Sequence, residues 1–269
     1  MLHGIIVPST QLQFALNSKF HLILPHLITS LPKYKEFYKE RAREGDHVLL
    51  DNSIFELGYS LDKKELLDIA EDIHVTEVVA PEVWEDATGT NNLVEDFIEY
   101  HDGMKSNIKI LAMAQGNTID EIIESFFKWN NHIKIDSLGL PFSLDYEVNG
   151  VSDNIKSLTL RRVLNRWYLV DRINQYSKAS SIRIKPTHLM GLSDAIELQR
   201  YKGDDYYWVR SNDSSTAFVH GVNGILYTDR GLPCEKIKMK LDFGGWKDLT
   251  DRQITSVEYN IAKILSWIE

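Results

Sequence analysis

The chain has little cysteine and no long apolar run. Its single cysteine, Cys234, excludes an intrachain disulfide and a cysteine-rich zinc site. No stretch of about 18 apolar residues is present, and the first residues lack the basic start and apolar core of a signal peptide, so we expect a cytoplasmic protein with no membrane span. GxGxxG, Walker A and HExxH motifs are also missing, which leaves dinucleotide-binding, P-loop and zincin functions without support.

Charge is present but unevenly placed. The net charge of −9 argues against a general nucleic-acid coat, because phosphate binding depends on local positive charge. Residues 156–185, however, hold eight basic residues against one acid, and their apolar residues recur at helical spacing. We expect an amphipathic helix with its cations outward, either as a solvated crossover or as a phosphate-contacting stripe. The stripe would consist of Arg161, Arg162, Arg166, Arg172 and Lys185.

Strand-type and helix-type patterns alternate along the 269 residues. Strands are predicted at residues 4–7, 47–50, 77–80, 108–114, 133–138, 188–190, 206–209 and 224–227, and helices at 32–43, 62–72, 91–101, 118–130 and 193–201. This alternation predicts an α/β fold, a TIM-type (β/α)8 barrel, over a doubly wound sheet. We expect one domain spanning residues 1–269, with an irregular segment at 229–246 and a closing C-terminal helix.

Two aspartates follow predicted strands far apart in the sequence, Asp51 after the second and Asp213 after the seventh. Catalytic side chains of such barrels project from the C-terminal strand ends, so both carboxylates are expected in one pocket. There they would share covalent and acid/base work. The competing structural interpretation is that Asp51 caps a helix or turn and that Asp213 forms an Asx turn with Ser215.

The strand-end motifs, taken in order, resemble the tRNA-guanine transglycosylase superfamily, whose members exchange a guanine in nucleic acid for a deazaguanine. Residues 51–56, DNSIFE, are similar to the family's Asp-Ser-Gly-Gly-Phe-Gln segment, and residues 212–214, NDS, to its Phe-Asp-Ser nucleophile segment. Gln115-Gly116 is similar to the family's Gln-Gly, residues 139–140 to its Gly-Leu turn, and residues 189–192 to its Leu-Met-Gly-Val. The likeness covers about residues 48–218.

The resemblance implies a role for each matched residue. Asp213 would be the nucleophile that traps the oxocarbenium-like C1′ as a covalent glycosyl-enzyme, and Asp51 the general base for the incoming base. Glu82 stands where the family has a base-reading aspartate, with Asp86 as a nearby substitute. The base-binding set is Phe55, Glu82, Asp86, Gln115, Gly139, Leu140 and Met190. The competing interpretation makes Phe55 and Met190 ordinary core residues and Gln115 a strand-end amide satisfied by backbone.

The chain departs from the tRNA-modifying members because it lacks their cysteine-rich zinc subdomain. The resemblance therefore implies the zinc-less branch that acts on DNA, with no metal or cofactor, a free 7-deazaguanine as co-substrate and a flipped target guanine. Three alternatives stay open: the same exchange on tRNA, a catalytically silent nucleic-acid-binding or partner subunit, and a metabolic barrel enzyme for a phosphorylated small molecule. The sequence also leaves a homodimer open.

Overall fold

The computed structural model describes residues 1–237, 239, 241–246 and 248–269. Within these residues, eight strands form a sheet in the order β1-β8-β7-β6-β5-β4-β3-β2. They are β1 (Leu2–Ile5), β2 (Phe20–Ile23), β3 (His47–Leu50), β4 (Glu77–Val79), β5 (Lys109–Met113), β6 (Ser137–Leu140), β7 (Thr187–Leu189) and β8 (Val209–Ser214). Pairings from β2 to β6, and that of β1 with β8, are parallel. Strand number, direction and order confirm the (β/α)8 fold class.

Helices connect most consecutive strands. They are α1 (Pro25–Ser30), α2 (Pro32–Arg43), α3 (Ile54–Leu57), α4 (Lys63–Ile73), α5 (Ala87–Met104), α6 (Ile119–Asn130), α7 (Leu158–Ser180), α8 (Thr216–Val222) and α9 (Asp251–Ser266). Short 3-10 helices cover Leu12–Asn17, Ala195–Tyr201 and Asp204–Tyr206. None of the helices in the described ranges is both long and apolar enough to cross a membrane.

The chain divides into two compact units. Unit 1 comprises Met1–Ser18, Pro141–Arg183 and Leu189–Glu269, and unit 2 comprises Lys19–Leu140 and Ile184–His188. Strand β7 therefore contributes two residues to unit 2 and one to unit 1. The single-domain expectation stays a prediction.

Unit 2 contains the continuous parallel ladder from β2 to β6. Its central strands are buried on both faces, as the VLL run of β3 and the EVV run of β4 show. The helices are fixed by local signals: the Asp62 side chain caps α4 by accepting from Lys64 N–H, and Thr118 caps α6 by accepting from Glu121 N–H. The apolar faces of both helices are buried, so they contribute to a packed core in this unit.

Unit 1 contains the β1–β8 pair and the three helices α7, α8 and α9. Ser157 caps α7, and Thr250 and Gln253 form a capping box at the start of α9. A Cβ on Gly221 would lie 2.7 Å from the Val257 backbone, so a glycine permits α8 and α9 to approach closely. The strand β8 is polar in sequence, VRSNDS, yet five of its six residues are buried.

Several predicted boundaries differ from the observed ones. Strand β3 and helix α2 match the predicted ranges, but β2 was missed, and no strand lies at 224–227. The predicted strand at 133–138 begins too early, because Ile133 is 92% exposed, and β6 starts at Ser137. The predicted strand at 206–209 overlaps β8 only at Val209, because the polar residues of β8 gave no apolar signal. Part of the segment 229–246, Lys238 and Lys240, lies outside the described residues.

Candidate functional site

A buried carboxylate lies among the strand ends of unit 2. Glu82 follows β4, and its two oxygens accept hydrogen bonds from amides that follow β3 and β5: Asn52 Nδ2 to Oε1 at 3.0 Å and Gln115 Nε2 to Oε2 at 2.5 Å. Burial raises the pKa of Glu82, and the two amide bonds oppose that rise without cancelling it. Two neutral donors thus hold a carboxylate that is easier to protonate than an exposed glutamate.

The loop carrying Glu82 is held on several sides. Ser60 Oγ donates to the Glu82 carbonyl at 2.8 Å and accepts from the Glu82 N–H at 2.9 Å. Asn52 Nδ2 also donates to the Ala80 carbonyl at 3.0 Å, and Gln115 Oε1 accepts from Glu85 N–H at 3.2 Å. The site is therefore preorganised, and the Gln115 amide uses its oxygen and one N–H inside the protein.

Asp51 follows β3 directly and is buried. Its Oδ2 accepts a hydrogen bond from the Ser53 N–H at 3.2 Å. This is the turn-type bond expected if Asp51 has a structural role. Ser53 has a left-handed backbone, with φ +63°, and its hydroxyl bonds His26 Nδ1 at 2.8 Å. A non-glycine residue in this conformation costs free energy, so the turn after β3 is held by its surroundings.

Next to these carboxylates in sequence lie two exposed aromatic rings. Phe55 is 62% exposed and Trp84 is 37% exposed, with ring centroids 6.1 Å apart and planes inclined by 38°. The interpretation of Phe55 as a core residue is therefore wrong. Asp86, by contrast, caps helix α5 and accepts from Gly89 N–H at 2.9 Å. Asp86 therefore has a structural role as a helix cap. Glu82, in contrast, is bonded to the side-chain amides of Asn52 and Gln115.

Gly139 and Leu140 are the last two residues of β6, which therefore ends later than the predicted strand at 133–138. The Gly139 carbonyl accepts from Ala114 N–H at 3.0 Å, and a Cβ at this position would collide with Met113 Sδ. This carbonyl thus takes part in the β5–β6 ladder, and the base-binding role of Gly139 and Leu140 stays a prediction. Leu140 is completely buried.

In unit 1, Asp213 lies near the end of β8 and is buried. Its Oδ1 accepts from the Gly191 N–H at 2.8 Å. Gly191 follows β7 together with the half-buried Met190, so two strand ends of this unit meet at the carboxylate. The Gly191 N–H therefore fixes the position of one oxygen of this carboxylate.

The sequence pattern predicts that Arg166 points outward from α7, but its side chain is buried. It is 1% exposed, forms an ion pair with the buried Glu197, and donates to the carbonyls of Met190 and Gly191, each at 2.8 Å. The prediction that Arg166 contacts a nucleic-acid backbone is wrong, because a guanidinium with these partners is closed to a phosphate. Helical periodicity cannot distinguish such an arginine from a solvated one.

Lys236, which sequence analysis missed, lies close to the same carbonyls. Its Nζ donates to the Leu192 carbonyl at 2.6 Å and lies 4.9 Å from the centroid of the Phe142 ring. Burial, together with the neighbouring Arg162 and Arg166 cations, lowers the pKa of Lys236 to about 8. No local motif marks this lysine, since it lies in an irregular segment.

The remaining residues of the predicted phosphate stripe all have protein partners. Arg161 donates to the Ile155 carbonyl, and Arg162 pairs with Asp145 while lying 5.2 Å from the Phe142 centroid. Arg172 donates to Tyr168 Oη at 2.8 Å, and Lys185, in unit 2, donates to the carbonyls of His132 and Ile135. A phosphate role for these four stays a prediction.

Metal ions in proteins need several ligand side chains close together. Among the described residues, no group of three or more His, Cys, Asp or Glu side chains is placed to hold a metal ion.

No protein-family model matches this chain, and no curated protein matches it. Among solved structures, it is similar to N-acetylneuraminate lyase from Mycoplasma synoviae, with 11% identity, a TM-score of 0.46, and coverage of 83% of this chain and 73% of that one. It is also similar to a GH128 endo-beta-1,3-glucanase from Amycolatopsis mediterranei, with 8% identity, a TM-score of 0.39, and coverage of 96% and 98%. At these values neither likeness carries an inference about activity.

Proposed function

We propose that the protein is a base-exchange transglycosylase that replaces guanine in DNA with a 7-deazaguanine. The observation that carries the proposal is the buried Glu82 held by Asn52 and Gln115. Two exposed rings lie close to these residues in sequence, Trp84 just after Glu82 and Phe55 just after Asn52. A guanine-type base presents N–H donors to a carboxylate, an oxygen to a donor and flat faces to aromatic rings. The strand ends of unit 2 supply these groups.

In this proposal Asp213 is the nucleophile. Its carboxylate attacks C1′, the C1′–N9 bond breaks, and the leaving guanine keeps the electron pair and takes up a proton from solvent. The hydrogen bond from Gly191 N–H fixes the carboxylate for this attack. Both the residue and its donor come from strand ends of unit 1, where (β/α)8 enzymes place reacting groups.

Asp51 is the proposed general base. It takes the N9 proton of the incoming 7-deazaguanine, whose nitrogen then attacks C1′ and releases the Asp213 carboxylate. The turn that holds Asp51, with the left-handed Ser53 and its bond to His26, fixes the orientation of the carboxylate. Strained backbone of this kind is typical of functional sites.

The test is the trapping of a covalent adduct. Purified protein is incubated with single-stranded DNA and with tRNA at one fixed salt concentration, since polymer affinities depend on ionic strength, and analysed on denaturing gels. We expect an adduct with DNA that Asp213→Asn abolishes and that the surface variant Asp205→Asn keeps; Asp205 is exposed and pairs with Lys178. An adduct with tRNA alone would assign the same chemistry to tRNA. No adduct with either polymer would overturn the proposal.

A further inference from the structure

Three consecutive carbonyls in unit 1 accept hydrogen bonds from cationic side chains. Arg166 donates from Nη1 to Met190 and from Nη2 to Gly191, both at 2.8 Å, and Lys236 donates to Leu192 at 2.6 Å. This 190–192 segment follows β7. A short stretch of backbone is thus held by two positive charges.

Other contacts fix the cations and the segment. Arg166 is fully buried against Glu197, and Trp167 Nε1 donates to the Glu197 carbonyl at 3.1 Å. Gly191 has φ +55°, and a Cβ there would lie 2.9 Å from the Phe142 ring. Because these groups are shielded from water, their electrostatic interactions are stronger than those of surface pairs.

The Met190–Gly191 peptide connects Arg166 to Asp213. Its carbonyl accepts from Arg166 Nη1, and its N–H donates to Asp213 Oδ1 at 2.8 Å. Hydrogen bonds in a chain polarise one another, so a cation on the carbonyl makes the N–H of that peptide a stronger donor. One peptide group therefore joins a buried guanidinium to a carboxylate.

We propose that Arg166 is a positioning residue that acts on Asp213 through the Met190–Gly191 peptide. The catalytic part of this inference rests on the proposed function. The peptide stabilises negative charge on Asp213, which the carboxylate loses when it bonds to C1′ and regains when that bond breaks and the electron pair returns to oxygen. Arg166 therefore speeds the release of the glycosyl group from Asp213 in the second half of the exchange.

The test removes both buried charges at once, in the double variant Arg166→Gln with Glu197→Gln, because a single replacement would leave a lone charge in the core. We expect the lifetime of the covalent adduct to lengthen about tenfold, or about 1.4 kcal/mol, and the Gly191 amide proton to move upfield in NMR spectra. The control is Arg200→Gln, a surface arginine paired with Asp171, which should change neither quantity.

The two readouts separate this inference from the proposed function. An unchanged Gly191 amide shift in the folded double variant overturns the peptide link, whatever the protein does. A changed shift with an unchanged adduct lifetime overturns the positioning role. A changed shift in a protein that forms no adduct with DNA or tRNA supports the peptide link and overturns the proposed function.

A second measurement needs no change at Arg166. Asp213→Asn removes the anion at the other end of the link, and we expect the Arg166 guanidinium protons to shift in NMR spectra, while Asp205→Asn leaves them in place. Unaltered Arg166 signals in Asp213→Asn would overturn the link even if the double variant did not fold.

Discussion

Gly191 and Phe142 are in close contact: a Cβ on Gly191 would lie 2.9 Å from Phe142 Cδ1, and the glycine has φ +55°. Gly191→Ala should therefore move the 190–192 segment and lower the free energy of unfolding. We expect about 1–2 kcal/mol more destabilisation than for Gly224→Ala, which has φ +70° but open space around its Cβ position. Urea unfolding of both variants measures the difference; equal losses would contradict the contact.

Glu82→Gln should weaken the amide network. An amide replaces one acceptor oxygen with a donor, so either Asn52 or Gln115 loses its partner in a buried site. We expect the free energy of unfolding to fall by about 1–3 kcal/mol at pH 7. The control is Glu85→Gln, an exposed neighbour whose backbone N–H, not its side chain, bonds Gln115; its effect should stay within about 0.5 kcal/mol.

Lys236 should make stability depend on alkaline pH. Its pKa is lowered to about 8 in the folded protein from an ordinary 10.5, so between these values the unfolded chain binds more protons. The free energy of unfolding of the wild type should therefore rise with pH across this window relative to Lys236→Met, by about 1–3 kcal/mol. Below pH 8 the difference should be flat. Lys178→Met, at an exposed ammonium, should follow the wild type; a flat difference for Lys236→Met up to pH 10 would contradict the assignment.

Phe55→Ala should weaken the binding of free 7-deazaguanine without affecting folding. Stacking of a base on an aromatic ring contributes about 1–3 kcal/mol, so we expect a roughly tenfold higher Kd by titration calorimetry. Tyr207→Ala is the matched control, since both rings are 62% exposed. Equal affinities for the two variants would contradict the proposed base-binding role of Phe55.

Much of the fold could be predicted because buried parallel strands read as apolar runs. The run VLL of β3 is an example, and the predicted and observed bounds of that strand agree. The bounds of strand β8 were not predicted, because its buried polar residues form hydrogen bonds with partners distant in sequence. Asn212, for example, bonds His3 Nδ1 and the Leu2 carbonyl. A pattern of hydrophobicity cannot show hydrogen bonds between β1 and β8.

The sequence predicted where the candidate site residues lie better than it predicted which hydrogen bonds they form. Asp51, Glu82, Gln115, Met190 and Asp213 all lie at or just after the C-terminal ends of strands, as the motifs indicate. The sequence did not show that Asn52 shares Glu82 with Gln115, or that Arg166 is buried. Both depend on which residues the fold brings together, and no short motif contains that information.

The sulfur of Met113 occupies the space that a side chain on Gly139 would need. The two positions face each other in the β5–β6 register, so Gly139 cannot be enlarged while Met113 keeps its size. In any chain that keeps this strand pairing, enlargement at 139 requires a smaller residue at 113. Redesign of the β6 strand end therefore has to treat these two positions as one volume.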